Sequence, residues 1–382
     1  MKVLHLASFS GNIGDNANHS GFRPWFERIS GCLVDWTDLE IREFYWKEKK
    51  FDESFVKLVS SFDLLVIGGG NYFELWVEHS ATGTSIDIPL DIFSQINVPI
   101  FFNALGCDEG QGVSENTLEK FTSFLDILVG SPQYLVSVRN DGSKKTLRKH
   151  VGIALSDKVY SVPDAGFFVD FEEIGARYLR PSTKRVGINL ATDMADIRFG
   201  KFGGKDGCDN FCDEFAKMLD LIADEDLNIH YIFFPHIYGD LEIIANVISR
   251  LGDRLRRTRV TVAPYLSGNE GSKHIFGLYR QCQLVLGMRF HSSVCAMGMG
   301  VPVIGLCNFP QIEYLYEELN YTSGCVSVRG HGFSEELIRK ILETISYDNQ
   351  SSECDRITTD VLKSRDFFEP VLSTWLIHNS LV

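Results

Sequence analysis

No window of this 382-residue chain approaches the ~20 consecutive apolar residues of a membrane-spanning helix. The opening MKVLHLASFSGNIGD turns to Gly and Asn after an apolar run of roughly five residues, too short for a secretory signal. A soluble protein is expected, one that can still visit a membrane surface. A basic excess is also missing. The formal net charge is -14, which excludes broad nucleic-acid binding, because phosphate backbones demand Lys and Arg in surplus. It leaves room for a small anion in a local basic pocket. The nine cysteines are irregularly spaced. Cys208 and Cys212, in CDNFC, lack both zinc-ligand spacing and a matching second pair, so reduced thiols in a cytosolic protein and no metal site are expected. There is no G-x-G-x-x-G dinucleotide fingerprint, no internal repeat and no low-complexity tract.

What is present is ordinary globular composition, 44% hydrophobic and 23% charged, long enough for two domains. Short apolar runs recur: Val3–Leu6, Leu64–Ile67, Ile100–Asn103 and Leu135–Val138, then Val186–Asn189, Ile229–Phe234, Val260–Val262, Leu284–Leu286 and Val303–Leu306. Most are continuously apolar, as strands covered on both faces are. Helical periodicity lies between them, at Glu115–Val129, Asn210–Ala223 and Ser334–Ile345. Alternating strands and helices imply parallel sheet. The pattern breaks at Gly175–Arg185 (GARYLRPSTKR). The expectation is therefore an α/β protein with two doubly wound, Rossmann-like domains, 1–178 and 179–382, facing a cleft. The helical segment Thr358–Ile377 would cross back to the first domain. Ligands in such sheets bind at the carboxyl ends of strands.

Those strand ends carry the candidates. After the first comes SFSGNIGDNANHSG, where Asn12, Asp15 and Asn16 offer hydrogen bonds; Asp15 would repel a phosphate but suit a sugar hydroxyl, or these residues simply cap a helix. After the second comes GGGNYFELW. Its glycines, Gly69 and Gly70 among them, mean close backbone approach or φ > 0: ligand proximity, or a strained turn against the facing domain. Tyr72, Phe73 and Trp76 would stack on a sugar or fill the core. Arg139 ends the strand Leu135–Val138; its partner is Asp141, Asp164 or a ligand anion. PHIYGD presents His236, as a substrate contact or a structural group. The segment Asp196–Gly207 (DIRFGKFGGKDG) reads as a mobile loop at the cleft, with Lys201 and Lys205 adding charge.

LVLGMRFHSS combines most. A strand ends, Gly287 relaxes the chain, and Arg289 and His291 precede a helix that Ser292 can cap. A helix N-terminus and an arginine fork together suit a carboxylate or phosphate. The plainer alternative is an internal salt bridge that holds this helix.

GNIGD, VIGGG, SVRNDGSKKTL, VPD, VGINLA and above all LGMRFHSSVCAMGMGVPVIGL resemble the polysaccharide pyruvyl transferase family, from about Val3 to about Phe309. The R-x-H core, small-residue helix and GVPVIG strand of the last motif are the most specific part. The resemblance implies a fold like that of the two-Rossmann-domain (GT-B) glycosyltransferases, with the acceptor on the N-terminal side and the donor on the C-terminal side. It implies transfer of the enolpyruvyl group of phosphoenolpyruvate to two sugar hydroxyls as a cyclic ketal, in polysaccharide or cell-surface glycan biosynthesis. The acceptor would be a sugar or a lipid-linked oligosaccharide, at the cytoplasmic side of a membrane. Arg289 and His291 would contact the donor, Arg139 would be a third contact, and no cofactor is implied. His291 is the candidate general acid for protonating the methylene carbon. The rival reading is a glycosyltransferase with a nucleotide-sugar donor, for which only Glu270 stands as a candidate ribose ligand. A catalytically silent binding protein of the same fold would be expected to lose R-x-H, which is intact.

Overall fold

The computed structural model describes residues 1–175, 183–200, 204–226, 228–346 and 351–382. The segment Gly175–Arg185 is therefore described only at its ends, and Lys201 lies outside the described residues. The chain divides into two compact units. The first comprises Met1–Ser10, Gly21–Ala165 and Val361–Val382; the second comprises Gly11–Ser20 and Gly166–Asp360. Among the described residues, no helix is long and apolar enough to cross a membrane.

Fourteen strands are described: β1 Lys2–Ala7, β2 Asp35–Glu40, β3 Leu64–Gly68, β4 Phe73–Glu74, β5 Ile100–Leu105, β6 Cys107–Asp108, β7 Tyr134–Arg139, β8 Tyr160–Val162, β9 Lys184–Asn189, β10 Ile229–Phe233, β11 Val260–Val262, β12 Leu284–Gly287, β13 Val303–Cys307 and β14 Cys325–Ser327. The first unit holds a parallel sheet in the order β2-β1-β3-β5-β7-β8, and β4 pairs with β6. The second holds a parallel sheet in the order β11-β10-β9-β12-β13-β14. That is the 3-2-1-4-5-6 order of a Rossmann sheet. All nine strands read from apolar runs are present, within one or two residues at each end. Each of β3, β5, β10, β12 and β13 is buried along its whole length, because helices cover both faces of a parallel sheet.

The helices complete these layers. Ser114 accepts the Thr117 N–H at 3.2 Å and so caps the helix Glu115–Gly130, which buries Phe121, Phe124, Leu125 and Leu128. The last helix, Ser351–His378, sends Phe368, Leu372, Trp375 and Leu376 into the core of the first unit beside Phe101 and Leu135. There the Trp375 indole N–H donates to the Pro132 carbonyl at 3.0 Å.

The three glycines after β3 are explained by packing. A Cβ on Gly68 would sit 2.2 Å from the Asn103 carbonyl oxygen of the neighbouring strand, and one on Gly70 would sit 2.4 Å from the Tyr72 ring. Gly69 is left-handed, at φ +82. The phenol of Tyr72 in turn accepts the Ser8 N–H at 2.8 Å. Tyr72 and Phe73 are core residues, and Trp76 is half-buried. The close approach at Gly70 is thus made to the protein itself, and Gly69 serves a left-handed turn. Gly68→Ala must push two paired strands apart and should cost ~1–3 kcal/mol, as overpacking does. Denaturant unfolding checks this; an unchanged midpoint would mean that the β3 edge has slack.

Candidate functional site

Doubly wound sheets open a crevice where the strand order reverses. In the second unit that point lies between β9 and β12, which pair from Leu284↔Val186 to Gly287↔Asn189. β9 ends there in Asn189, and Arg289 follows the end of β12 by two residues. Asn189, the last of β9, accepts the Arg289 N–H on Oδ1 at 3.0 Å, and its Nδ2 donates to the Phe234 carbonyl at 2.9 Å. One amide thus ties together the ends of three adjacent strands. Arg289 immediately precedes the helix Phe290–Gly298 in extended conformation, which lets its side chain leave the strand end sideways.

The guanidinium meets two carboxylates. Its Nε donates to Asp240 Oδ2 at 2.9 Å, and its Nη2 donates to Asp193 Oδ1 at 2.6 Å and to Asp240 Oδ1. Asp240 is fully buried and begins the helix Asp240–Arg250. Its Oδ2 also accepts the backbone N–H groups of His236 at 2.9 Å and Ile237 at 3.2 Å, so the loop after β10 folds around that one carboxylate. Asp193 follows β9 in a turn whose next residue, Met194, is left-handed at φ +57. Burial alone would raise the pKa of Asp193. Arg289 and Arg198 more than offset this and hold it below the ordinary carboxylate range. For Arg289, burial opposes the charge, while Asp240 and Asp193 restore it.

Arg198 belongs to the segment expected to be a mobile loop. It is instead buried, donating through Nε to the Asp193 carbonyl at 2.8 Å and through Nη1 to Asn308 Oδ1 at 2.9 Å. Asn308 directly follows β13, and among the described residues its buried Nδ2 has no hydrogen-bond partner. Two arginines and two aspartates therefore balance in charge. The internal salt bridge weighed as an alternative at LVLGMRFHSS is present. Even so, Arg289 is not used up: among the described residues nothing hydrogen-bonds its Nη1, and the side chain keeps 12% exposure.

His291 lies one helical step further on, nearly buried. It packs directly on Gly14: a Cβ there would come within 2.5 Å of its Nδ1. The N-terminal motif GNIGD and the R-x-H motif, far apart in sequence, thus meet in one unit. Asn12 Oδ1 accepts the Gly14 N–H at 3.0 Å and shapes this turn, and Ser272 Oγ donates to the Ile13 carbonyl at 2.9 Å. Asp15 and Asn16 sit in the same first helical turn, buried. Ser292 donates its hydroxyl to the Arg289 carbonyl at 2.6 Å; it holds the turn and does not cap the helix.

His236, expected to face an acceptor hydroxyl, is completely buried, with Nε2 2.8 Å from the Tyr279 hydroxyl. Burial first, then Arg289 and His291, depress its pKa far below the ordinary value. It is a neutral structural group behind Arg289. Arg139 belongs to the first unit. Its Nε donates to Asp141 Oδ2 at 2.6 Å, and Asp164 lies 3.6 Å from its Nη1; of the partners considered for it, the two carboxylates are the ones observed. Gly69 and Gly70 are also in that unit. Asp240, Asp193, Asn189 and Asn308 were not anticipated. Asp240 stands four residues after His236 in the same quoted loop, a signal that was available.

Residues 11–308 match the family model described as polysaccharide pyruvyl transferase. No curated protein sequence matches the chain. Among solved structures it resembles a putative UDP-N-acetylglucosamine 2-epimerase from Listeria monocytogenes at 12% identity and TM-score 0.60, covering 100% of this chain and 97% of that one. It also resembles UDP-GlcNAc 2-epimerase from Neisseria meningitidis, solved bound to UDP-GlcNAc (12%, TM-score 0.56, 100% of both chains), and a glycosyltransferase from Rickettsia africae (9%, TM-score 0.57, 98% and 97%). At such identities these likenesses establish the fold, two Rossmann-like units of the GT-B class, and nothing about chemistry.

Arg289→Ala strands the buried Asp240 carboxylate and should destabilise the protein by ~3–5 kcal/mol. Arg289→Ala combined with Asp240→Asn should recover much of that. Equal stability of the single and double variants in denaturant would contradict the pairing. His236 gives a pH dependence. Its folded pKa is depressed, so unfolding takes up its proton, and stability is complete above the unfolded value of about 6.5 and falls as pH drops below it. His236→Gln should flatten the melting-temperature profile between about pH 6.5 and 5; an unaltered slope would place the acid sensitivity elsewhere.

Proposed function

This chain belongs to the polysaccharide pyruvyl transferase family, and we propose that it moves the enolpyruvyl group of phosphoenolpyruvate onto two hydroxyls of a sugar or lipid-linked glycan. The observation that carries this reading is the Arg289 fork. Two carboxylates hold the guanidinium rigidly at the switch point of the sheet, and one nitrogen is left over. A rigid, charged donor of this kind suits one anionic group of phosphoenolpyruvate. The orphan Asn308 amide, one strand along, is a second donor of the same sense. Two balanced ion pairs alone would not attract a multiply charged anion. The helix N-terminus at Phe290 would supply further positive potential.

The chemistry can then be assigned. His291 delivers a proton to the methylene carbon, making the central carbon electrophilic. One acceptor hydroxyl adds there, the C–O bond to phosphate breaks, and the second hydroxyl closes the ketal. The hydroxyl protons return to His291 and to phosphate, so donor plus diol becomes ketal plus inorganic phosphate. Gly14 fixes the imidazole from behind. Asp15 and Asn16 stand on the same turn as candidate hydrogen-bond partners for the acceptor. Arg139, neutralised by Asp141 and Asp164, is given no role in this reading.

Phosphoenolpyruvate should raise the melting temperature. The absence of any shift with phosphoenolpyruvate would overturn the proposal. In mass spectrometry, a candidate glycan incubated with enzyme and phosphoenolpyruvate should gain one pyruvyl ketal. His291→Gln should cut that turnover by ~10²–10⁴ with the fold intact. A rise in KM at constant kcat would make His291 a binding residue and leave the acid elsewhere.

A further inference from the structure

The first unit contains a cavity of about 810 Å³, within the range of small-molecule sites. It is built from segments that follow β2 and β3, at the carboxyl side of the sheet. One wall is the tight turn after the short helix Arg42–Tyr45. There the Lys47, Glu48 and Lys49 N–H groups all return to the carbonyls of Phe44 and Glu43. The turn closes with Lys47 left-handed, at φ +62, where glycine or asparagine would be cheaper. The turn rests on Phe44, stacked on Phe51 with centroids 4.1 Å apart. It brings Lys47, Lys49 and Lys50 to the cavity in a chain that is otherwise strongly acidic. Lys49 is paired with Glu43 at 2.6 Å. Among the described residues, Lys47 and Lys50 have no carboxylate within ion-pair distance.

The other wall has the opposite character. Glu74, at the end of β4, accepts the Ser85 hydroxyl, and the Asp87 carboxylate accepts the Ala81 N–H at 2.7 Å. Burial raises the Glu74 pKa to about 7; the Ser85 hydrogen bond opposes this and nearby Asp108 adds to it. Near neutral pH this carboxyl is therefore able both to donate and to accept. Cations on one wall and carboxyls on the other, across a cavity of that volume, match a molecule with an anionic end and several hydroxyls. A plain hydrocarbon would use neither wall. The mechanism proposed above uses none of these residues.

We propose that this cavity binds a phosphorylated sugar, with its anionic group on Lys47 and Lys50 and its hydroxyls on Glu74 and Asp87. This binding is independent of the pyruvyl-transfer reading. Calorimetry on the full chain tests it with glucose 1-phosphate, UDP-glucose, glucose and inorganic phosphate. Both phosphorylated sugars should bind, and each should bind at least about tenfold more weakly to Lys47→Ala/Lys50→Ala, exposed positions whose loss leaves the fold intact. Glu74→Gln should weaken them while leaving inorganic phosphate unaffected. Tighter binding of UDP-glucose supports a diphosphate-linked ligand, and equal binding supports a monoester. Unchanged affinity in the lysine variant overturns the proposal, as does glucose or inorganic phosphate binding as tightly as glucose 1-phosphate. The readout contains no phosphoenolpyruvate and no turnover. A failure here therefore leaves donor binding at Arg289 standing, and a failure of pyruvyl transfer leaves this binding standing.

Discussion

A carboxylate buried without exposure must be paid for by its partners, and Asp240 is surrounded by them. Two backbone N–H groups of the β10 loop and two nitrogens of Arg289 converge on it. Without Arg289 the carboxylate is an uncompensated charge; without Asp240 the guanidinium keeps only its Asp193 contact, and the loop carrying His236 loses its carboxylate anchor. The pairing therefore does more than hold a helix. It converts a long, flexible side chain into a rigid donor whose remaining nitrogen points the same way in every molecule, which is the condition for recognising a small anion without a large entropic cost.

The rest of the site follows from the strand order. Because β9 and β12 are neighbours, Asn189 and Asp193 reach the residues after β12. Because Gly14 has no side chain, the first turn of the N-terminal helix can lie against His291. The charge count is balanced by design: Arg198 extends the network to Asn308 and matches Asp193. On the proposed reading, such a site would bind an anion by geometry and local potential, in a chain whose total charge is strongly negative.

Much of this was legible in the sequence, for physical reasons. Strands buried on both faces write themselves as apolar runs, and every such run became a strand. Five strands went unread: β2 (DWTDLE) lies at a sheet edge and is half exposed, so it carries no such signature, and β4, β6, β8 and β14 are only two or three residues long. The strand-end residues Arg289 and His291 were readable because charge at the end of an apolar run demands an explanation. Their partners were harder. Asp193 and Asn189 lie about a hundred residues away, and only the strand order brings them close. The glycines of VIGGG correctly signalled close approach, but no local pattern distinguishes a ligand from the neighbouring strand. His236 drew attention as a titratable group, while Asp240 in the same loop carried the function of holding Arg289. Gly and Lys content suggested mobility around Arg198, and a buried ion pair overrode it.

The account is tested most directly by a crystal structure of the chain with phosphoenolpyruvate bound. It predicts an oxygen of the ligand's carboxylate or phosphate within hydrogen-bond distance of Arg289 Nη1, with His291 facing the methylene carbon and both carboxylate pairings of Arg289 retained. Phosphoenolpyruvate bound away from Arg289, or bound only after Arg289 has left Asp240, would contradict it.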